Sequence, residues 1–423
     1  MKKAILFIFI VMLFISLKSF SQNIIQVTAG TDVISAAYST ASAGDIIELI
    51  SNGGLYVETS TLTVTADKAI TIRSKAGLRY QPVWVCSAVS DYGGIIKTNG
   101  GITVDGIIMD GTGGTPPTAT VNGIITGGNS YSIKVYNSTF KNFTTALYGE
   151  SGTVQVDSIV FKGCLFENIS GNAIMCYGGT TPPADFKYLS LTNSTFWNPV
   201  YRSVACLYTI ANDALYSPNA GWTPDPRVEI DHVTVYNFRR LYCKEHSNVQ
   251  VKNTIFMIPT LTSSTGFILY GDQTSISNCM YYNVSNSFTN GVVETNLLNA
   301  DPLFPDAPNG DLTITETSPA YHAGTDGKSL GDPRWWPEPQ FTQKIIKIAA
   351  GTDSIAKAYA SASSGDIIEL ITDGGLYIET AMLTVTDKQI TIRAKSGLVT
   401  KPIWACTAAS DYGGLMEVYA NVY

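Results

Sequence analysis

The sequence predicts an all-β fold, a right-handed parallel β-helix wound as a single-stranded solenoid, with a helix capping its N-terminal end. Three observations carry that prediction: a short phrase that recurs along the chain, a row of asparagines that trails it, and linking segments without helix formers. The phrase is a small or Asn residue, two short residues and a large apolar one, and an Asn often follows two places on. It reads Asp105-Gly-Ile-Ile-Met109, Asn137-Ser-Thr-Phe140, Gly163-Cys-Leu-Phe166, Asn193-Ser-Thr-Phe196, His232-Val-Thr-Val235, Asn253-Thr-Ile-Phe256 and Asn278-Cys-Met-Tyr281. Successive large residues stand 31, 26, 30, 39, 21 and 25 positions apart, about the chain that one solenoid turn consumes when its loops vary.

Stacked turns repeat the same inward position, so Met109, Phe140, Phe166, Phe196, Val235, Phe256 and Tyr281 are expected to form one interior column. The trailing Asn142, Asn168, Asn198, Asn237 and Asn283 are expected at a corner, where Asn tolerates left-handed backbone and can bond to neighbouring turns. Between the phrases the chain is rich in Gly, Thr, Ser and Tyr, which argues against a leucine-rich or helical repeat.

Taken in order, residues 1–21 read as a cleavable secretory signal: two lysines, the apolar run Ala4 to Leu17, then Ser19-Phe20-Ser21. That run is short for a membrane span and no other long apolar stretch follows, so the mature chain is expected to be exported, to the cell surface, the medium or the periplasm. Residues 22–100 read as the cap and first rungs, with a helix from Ile34 to Ser42 and strands at Asp45–Ile50, Thr61–Val64 and Ala69–Arg73. A helix over the first rung hides core and strand edges that would otherwise be bare. Residues 101–300 carry the rungs. Residues 301–337 form a turn-rich closing segment with the phrases Asp301-Pro-Leu-Phe304, Asn309-Gly-Asp-Leu-Thr-Ile314, Ser318-Pro-Ala320, Ala323-Gly324 and Gly331-Asp-Pro-Arg-Trp335, and 338–343 reads as a linker. Residues 344–423 then repeat the cap almost throughout, with Trp84, Cys86 and Asp91-Tyr-Gly-Gly94 recurring as Trp404, Cys406 and Asp411-Tyr-Gly-Gly414. The second copy stops where the first reaches its rungs, as expected of a piece of a longer tandem protein.

Only 14% of residues are charged and the net charge is −7, so no basic surface points to nucleic acid or anionic membrane. The seven cysteines lack CxxC spacing, and most are expected to be buried thiols acting as small hydrophobes. No His-rich metal motif appears, and no metal-binding residue is assigned. Asp105, Asp110, Asp157 and Asp231 could supply oxygens to Ca²⁺, or they are turn residues on the surface. A monomer is expected.

After each corner Asn comes a second strand. Aligning these strands puts Tyr148, Tyr177, Tyr208, Lys244 and Tyr270 in one outward column, with Leu147, Cys176, Leu207, Cys243 and Leu269 inward. Outward aromatics either form a sugar platform, their ring faces packing on apolar sugar faces, or simply stack as an exterior ladder. The stretch Arg239-Arg240-Leu-Tyr-Cys-Lys244-Glu-His246 is the densest cationic run, and Arg202 lies one turn earlier. Such a cluster suits β-elimination on a uronic-acid polymer, with cations neutralising a carboxylate and a Lys removing the adjacent proton. The alternative, which a single charge cluster favours, is a solvated turn with ion pairs to Glu245.

The cap, the rungs and the closing phrases DPLF, NGDLTI, SPAYHAG and GDPRW resemble two uncharacterised domain families that occur together in secreted β-helix proteins of polysaccharide-degrading bacteria. The resemblance implies a pectate-lyase-like fold and a carbohydrate context. Leu241 to Phe256 also resembles, locally, the base-bearing rung of chondroitinase-B-like and alginate lyases, where a Lys precedes an Asn-x-x-Phe phrase. Carried over, Lys244 would be the base; that family places an Arg on the following rung, where this chain has Tyr270.

Two readings therefore stand side by side. One is a polysaccharide lyase on an acidic glycan, with Lys244, Tyr270 and Arg240 catalytic and Tyr148, Tyr177, Tyr208, Arg202, Arg239 and His246 binding substrate. The other is a non-catalytic carbohydrate-binding or adhesion module using the tyrosine face alone, which tandem duplication would favour through avidity. A glycosidase would need two carboxylates about 5 to 10 Å apart on one face.

Overall fold

Each rung lays down three strands that pair in parallel with those of the rungs before and after, and the three resulting faces enclose one apolar interior. A computed structural model describes residues 22–87, 93–112, 122–149, 155–176, 185–210, 227–244, 248–259, 265–271, 273–289, 291–337, 344–363, 366–385, 390–407 and 416–418. The chain divides into two compact units, Met1–Trp336 and Pro337–Tyr423. The first is a parallel β-helix. Its first face runs from Ile24–Val27 through Ile46–Leu49, Ile70–Ser74, Ile102–Asp105 and Ser132–Tyr136 and on to the start of Val293–Asn299. Its second face includes Leu55–Glu58, Val83–Cys86, Ile108–Asp110, Thr139–Lys141 and Leu165–Glu167, and its third Leu62–Val64, Gly94–Thr98, Asn122–Thr126, Thr145–Gly149 and Ile174–Cys176. The long strands Asp185–Ile210 and Arg227–Lys244 run through all three faces. The signal-like residues 1–21 and the linker 338–343 lie outside the described residues.

The second face aligns the large residues of the repeated phrase. Met109 pairs with Phe140, Phe140 with Phe166, Phe166 with Phe196, Phe196 with Val235, Val235 with Phe256, and Phe256 with Tyr281. All but Tyr281 are buried, and the column continues backwards through Trp84 and Tyr56. Parallel in-register pairing brings like rings together: Phe166 stacks on Phe196 at 4.3 Å and on Phe140 at 5.3 Å. Each contact adds about 0.5–1.5 kcal/mol beyond area burial.

Two corners flank this face, and both use left-handed backbone. The residue three places before the large one has positive φ throughout (Gly106, Asn137, Gly163, Asn193, His232, Asn253 and Asn278), which explains why only Gly, Asn and His occur there. Of the trailing asparagines, Asn142, Asn168, Asn237 and Asn283 are left-handed, and Asn198 is not. Asn198 precedes Pro199, which pushes it towards extended backbone. Its buried amide instead accepts from Ile169 N and donates to Ile169 O. Asn142 and Asn168 form a ladder begun by an aspartate, Asn142 donating to Asp110 at 3.0 Å and Asn168 to Asn142 at 2.8 Å, while Asn237 and Asn283 donate to the backbone carbonyls of Asn198 and Pro259.

The helix Val33–Thr40 buries Ile34, Ala37 and Tyr38 over the first rung. Its first N–H groups donate to the fully buried Glu58 carboxylate, Ile34 N at 3.0 Å and Ser35 N at 3.2 Å, and Ser35 Oγ donates as well. Leu55–Glu58, which supplies that carboxylate, is a strand that periodicity alone did not reveal, because only four residues separate two turns. The second unit repeats the arrangement, with Ser354–Ser361 as the helix and Glu379 accepting from Ile355 N and Ala356 N.

The closing segment lies along the outer surface of the second face. Phe304, Ala307, Leu312 and Trp335 pack with Trp197, Tyr236, Met257 and Tyr282, while Ile314, Ala320 and Leu330 pack with Ile255 and Met280. Long-range hydrogen bonds tie it down: Trp197 Nε1 to Ala307 O, Trp335 Nε1 to Thr195 Oγ1 and Asn278 Nδ2 to Ala323 O, each between 2.7 and 2.8 Å. This covers apolar residues that face outward from the solenoid wall and would otherwise be exposed.

Candidate functional site

The third face carries the outward tyrosines and the cationic stretch, but in two rows. Backbone register aligns Tyr148 with Met175, Met175 with Tyr208, Tyr208 with Tyr242 and Tyr242 with Ile268. Lys244 pairs instead with Ile210, and Cys243 with Leu269, which sets Lys244 and Tyr270 on adjacent strands, two residues further along than Tyr242 and Ile268. The single column expected from sequence is therefore corrected by a two-residue slip. Register shifts between Trp197 and Leu207 absorb residues at bulges, and such a slip keeps each side chain on its face while moving it to another row. Cys176, Leu207, Cys243 and Leu269 are buried, as inward residues must be. Tyr177 and His246 lie outside the described residues.

Within the first row the rings of Tyr208 and Tyr242 are stacked, 4.9 Å apart and 7° from parallel. Both side chains are half-buried. Alternation brings Arg240 to the same side of the strand as Tyr242, and its guanidinium carbon sits 4.6 Å from the Tyr242 ring centre and 5.5 Å from that of Tyr208. Arg202 pairs with Phe238 and Ala205 with Arg240, so the two arginines belong to adjacent rungs. Arg202, Arg239 and Arg240 are each partly buried, and the Nε atoms of Arg202 and Arg240 are buried without a hydrogen-bond partner among the described residues. A guanidinium nitrogen in that state has an unmet demand for an acceptor, which an anion would satisfy. Nearby, Asn172 Oδ1 accepts from Ala205 N at 2.9 Å, holding the bulged segment.

Sequence reasoning missed Tyr242 and Met175 as members of this surface. Tyr242 stands two residues before Lys244, so alternation alone would have placed it outward.

The aspartates considered for Ca²⁺ each serve a different partner. Asp105 accepts from Asn137, Asp110 from Asn142 and Thr112, and Asp157 from Lys187. Asp231 accepts from Asn253 and lies 2.8 Å from His232 Nδ1 and 3.2 Å from Lys252 Nζ. Burial opposes ionisation of Asp231, but His232, Asn253 and Lys252 outweigh it and hold the carboxyl below its ordinary value. Among the described residues, no three His, Cys, Asp or Glu side chains converge on one point. Burial raises the thiols of Cys206 and Cys243 well above the ordinary value, and that of Cys164 to about 12, so these are inert apolar fillers.

No protein-family model matches the chain, and no curated protein matches it. Among solved structures, the PL6 family alginate lyase AlyGC is similar at 13% identity and a TM-score of 0.23, covering 90% of this chain and 68% of that one. A mutant form of that lyase is similar at the same identity and score, covering 94% and 70%. Scores of that size carry no conclusion for this chain, whose parallel β-helix rests on the strand register given above.

Proposed function

We propose that this is a secreted, carbohydrate-active protein that binds an acidic polysaccharide across its third face and cleaves it by β-elimination. The observation that carries the reading is the pair of arginines on adjacent rungs, Arg202 and Arg240, whose buried Nε atoms lack acceptors among the described residues, with Arg240 lying against the Tyr208–Tyr242 stack. A uronate carboxylate is a planar anion that a guanidinium fork matches. Pairing it with Arg240 withdraws charge and acidifies the proton on the adjacent carbon.

Lys244 takes that proton, the electron pair forms the new carbon–carbon double bond, and the glycosidic oxygen leaves, protonated by Tyr270. The register supports this division, since Lys244 and Tyr270 lie on adjacent strands, whose axes are about 4.8 Å apart. Arg239, Tyr148, Tyr177 and His246 extend the binding surface in this reading.

The alternative is a binding module without catalysis, and the near-copy of the cap in the second unit favours it. Linked modules multiply apparent affinity without any new contact. The test is the ultraviolet absorbance of the conjugated unsaturated uronate, followed with the full mature chain on alginate, pectate, chondroitin and heparin-like polymers, with and without Ca²⁺. Elimination that falls by about 10²–10⁴-fold in Lys244→Ala supports the lyase reading. Retention on glycan gels without any product selects the binding module.

A further inference from the structure

The stacked pair on the third face leaves a sugar at most the outer face of each ring. Tyr208 and Tyr242 lie 4.9 Å apart and nearly parallel, so the facing surfaces of the two rings are taken up by each other. Sugar stacking needs an open ring face. What lies against both rings is Arg240, within 4.6 Å of one centre and 5.5 Å of the other. A guanidinium is attracted to aromatic rings at such distances, and the attraction grows when both partners are removed from water, as these half-buried side chains are.

Resting on the proposal that the third face binds an acidic glycan, we infer that Tyr208 and Tyr242 are positioning residues, and that they act on the ligand through Arg240. The two rings hold the guanidinium in one orientation, and its buried Nε–H, which has no acceptor among the described residues, adds an unmet donor to the charge that a carboxylate binding at this guanidinium would satisfy. Two consequences follow. The tyrosines contribute to recognition of the charge on the glycan and not of its apolar faces. Their contribution also disappears when Arg240 is absent.

The register gives this arrangement its basis. Tyr208 and Tyr242 face each other across adjacent strands, and Arg240 precedes Tyr242 by one alternation step, so the sheet itself brings the three together. Lysine in place of Arg240 would keep the charge but lose the planar fork that lies against the rings.

The test combines a binding measurement with one internal to the protein. Affinity of the full chain for a polyuronate, and for the same polymer with its carboxyls reduced to neutral alcohols, is measured for wild type, Tyr242→Leu, Arg240→Gln and the double variant. Tyr242→Leu is expected to weaken polyuronate binding by about 3- to 10-fold, with no change on the neutral polymer. In the Arg240→Gln background the same substitution is expected to have no further effect. Separately, the Arg240 Nε–H resonance of arginine-labelled protein is expected to be displaced by the rings and to return towards its ordinary position in Tyr242→Leu, with no glycan present.

Losses that add in the double variant, or an equal loss on the neutral polymer, overturn the positioning role and restore direct stacking on sugar. An Arg240 resonance unmoved by Tyr242→Leu also overturns it. Wild-type protein that binds none of the polyuronates overturns the glycan proposal and, with it, the recognition half of this inference. The resonance then reports separately on whether the rings hold the arginine.

Discussion

Asp332 joins the closing segment to the solenoid wall, and its titration sets a measurable pH dependence. The side chain is buried, accepts from Thr195 Oγ1 at 2.7 Å and from Arg334 N at 3.1 Å, and pairs with Arg334 Nε at 2.7 Å. Burial is the largest influence and exceeds all of these, raising the carboxyl from 3.8 to about 6. A folded-state value above the unfolded one means that the fold favours the protonated acid. The resulting stability is fully present below pH 3.8 and is lost as pH rises through about 6, a change on the order of 3 kcal/mol. Asp332→Asn cannot ionise and should not show it. Other carboxylates are shifted as well: burial raises Glu58, whereas Glu48 and Asp110 are held low by their hydrogen-bond and charge partners against the opposing effect of burial. Their effects cancel in the difference between wild type and variant. Denaturant unfolding, followed by tryptophan fluorescence between about pH 4 and about pH 8, should show that difference shifting by on the order of 3 kcal/mol in favour of Asp332→Asn as pH rises. Two stabilities that stay parallel across the range would refute the reasoning.

Three further substitutions probe the architecture by the same unfolding measurement. Phe166→Ala empties the centre of the aromatic column, where the ring touches Phe140, Phe161 and Phe196, and should cost about 3–5 kcal/mol; a cost under about 1 kcal/mol would mean that the column does not carry the core. Glu58→Ala strips the acceptor from two helix N–H groups and should destabilise the first unit by about 1–3 kcal/mol for each donor left buried. Matching loss in the second unit on Glu379→Ala would show that the duplicated carboxylate does the same work, and a neutral result in either would deny it.

The third face shows where sequence reasoning is strong and where it fails. Alternation along a strand is a local property, so it correctly sent Leu207, Cys243 and Leu269 inward. Which rows stack together is not local. Bulges between Trp197 and Leu207 change the count of residues per turn without changing the alternation, so Tyr208 stands beside Tyr242 and Lys244 falls in the next row. The Arg240–Tyr208–Tyr242 contact follows from that register and could not be composed from spacing.

The sequence by itself determined the parallel β-helix, its interior column and its corners. Each depends on one position recurring once per turn: a large apolar residue where the wall faces in, and Gly, Asn or His where φ must be positive. Only the tertiary structure decided that the closing segment lies on the outer side of the second face. Its ties, such as Thr195 with Asp332 and Trp197 with Ala307, join residues more than a hundred positions apart, and no periodic pattern encodes such pairs. They form because the outward residues Tyr236, Ile255, Met257 and Met280 leave an apolar strip on the wall that the segment's own apolar residues bury.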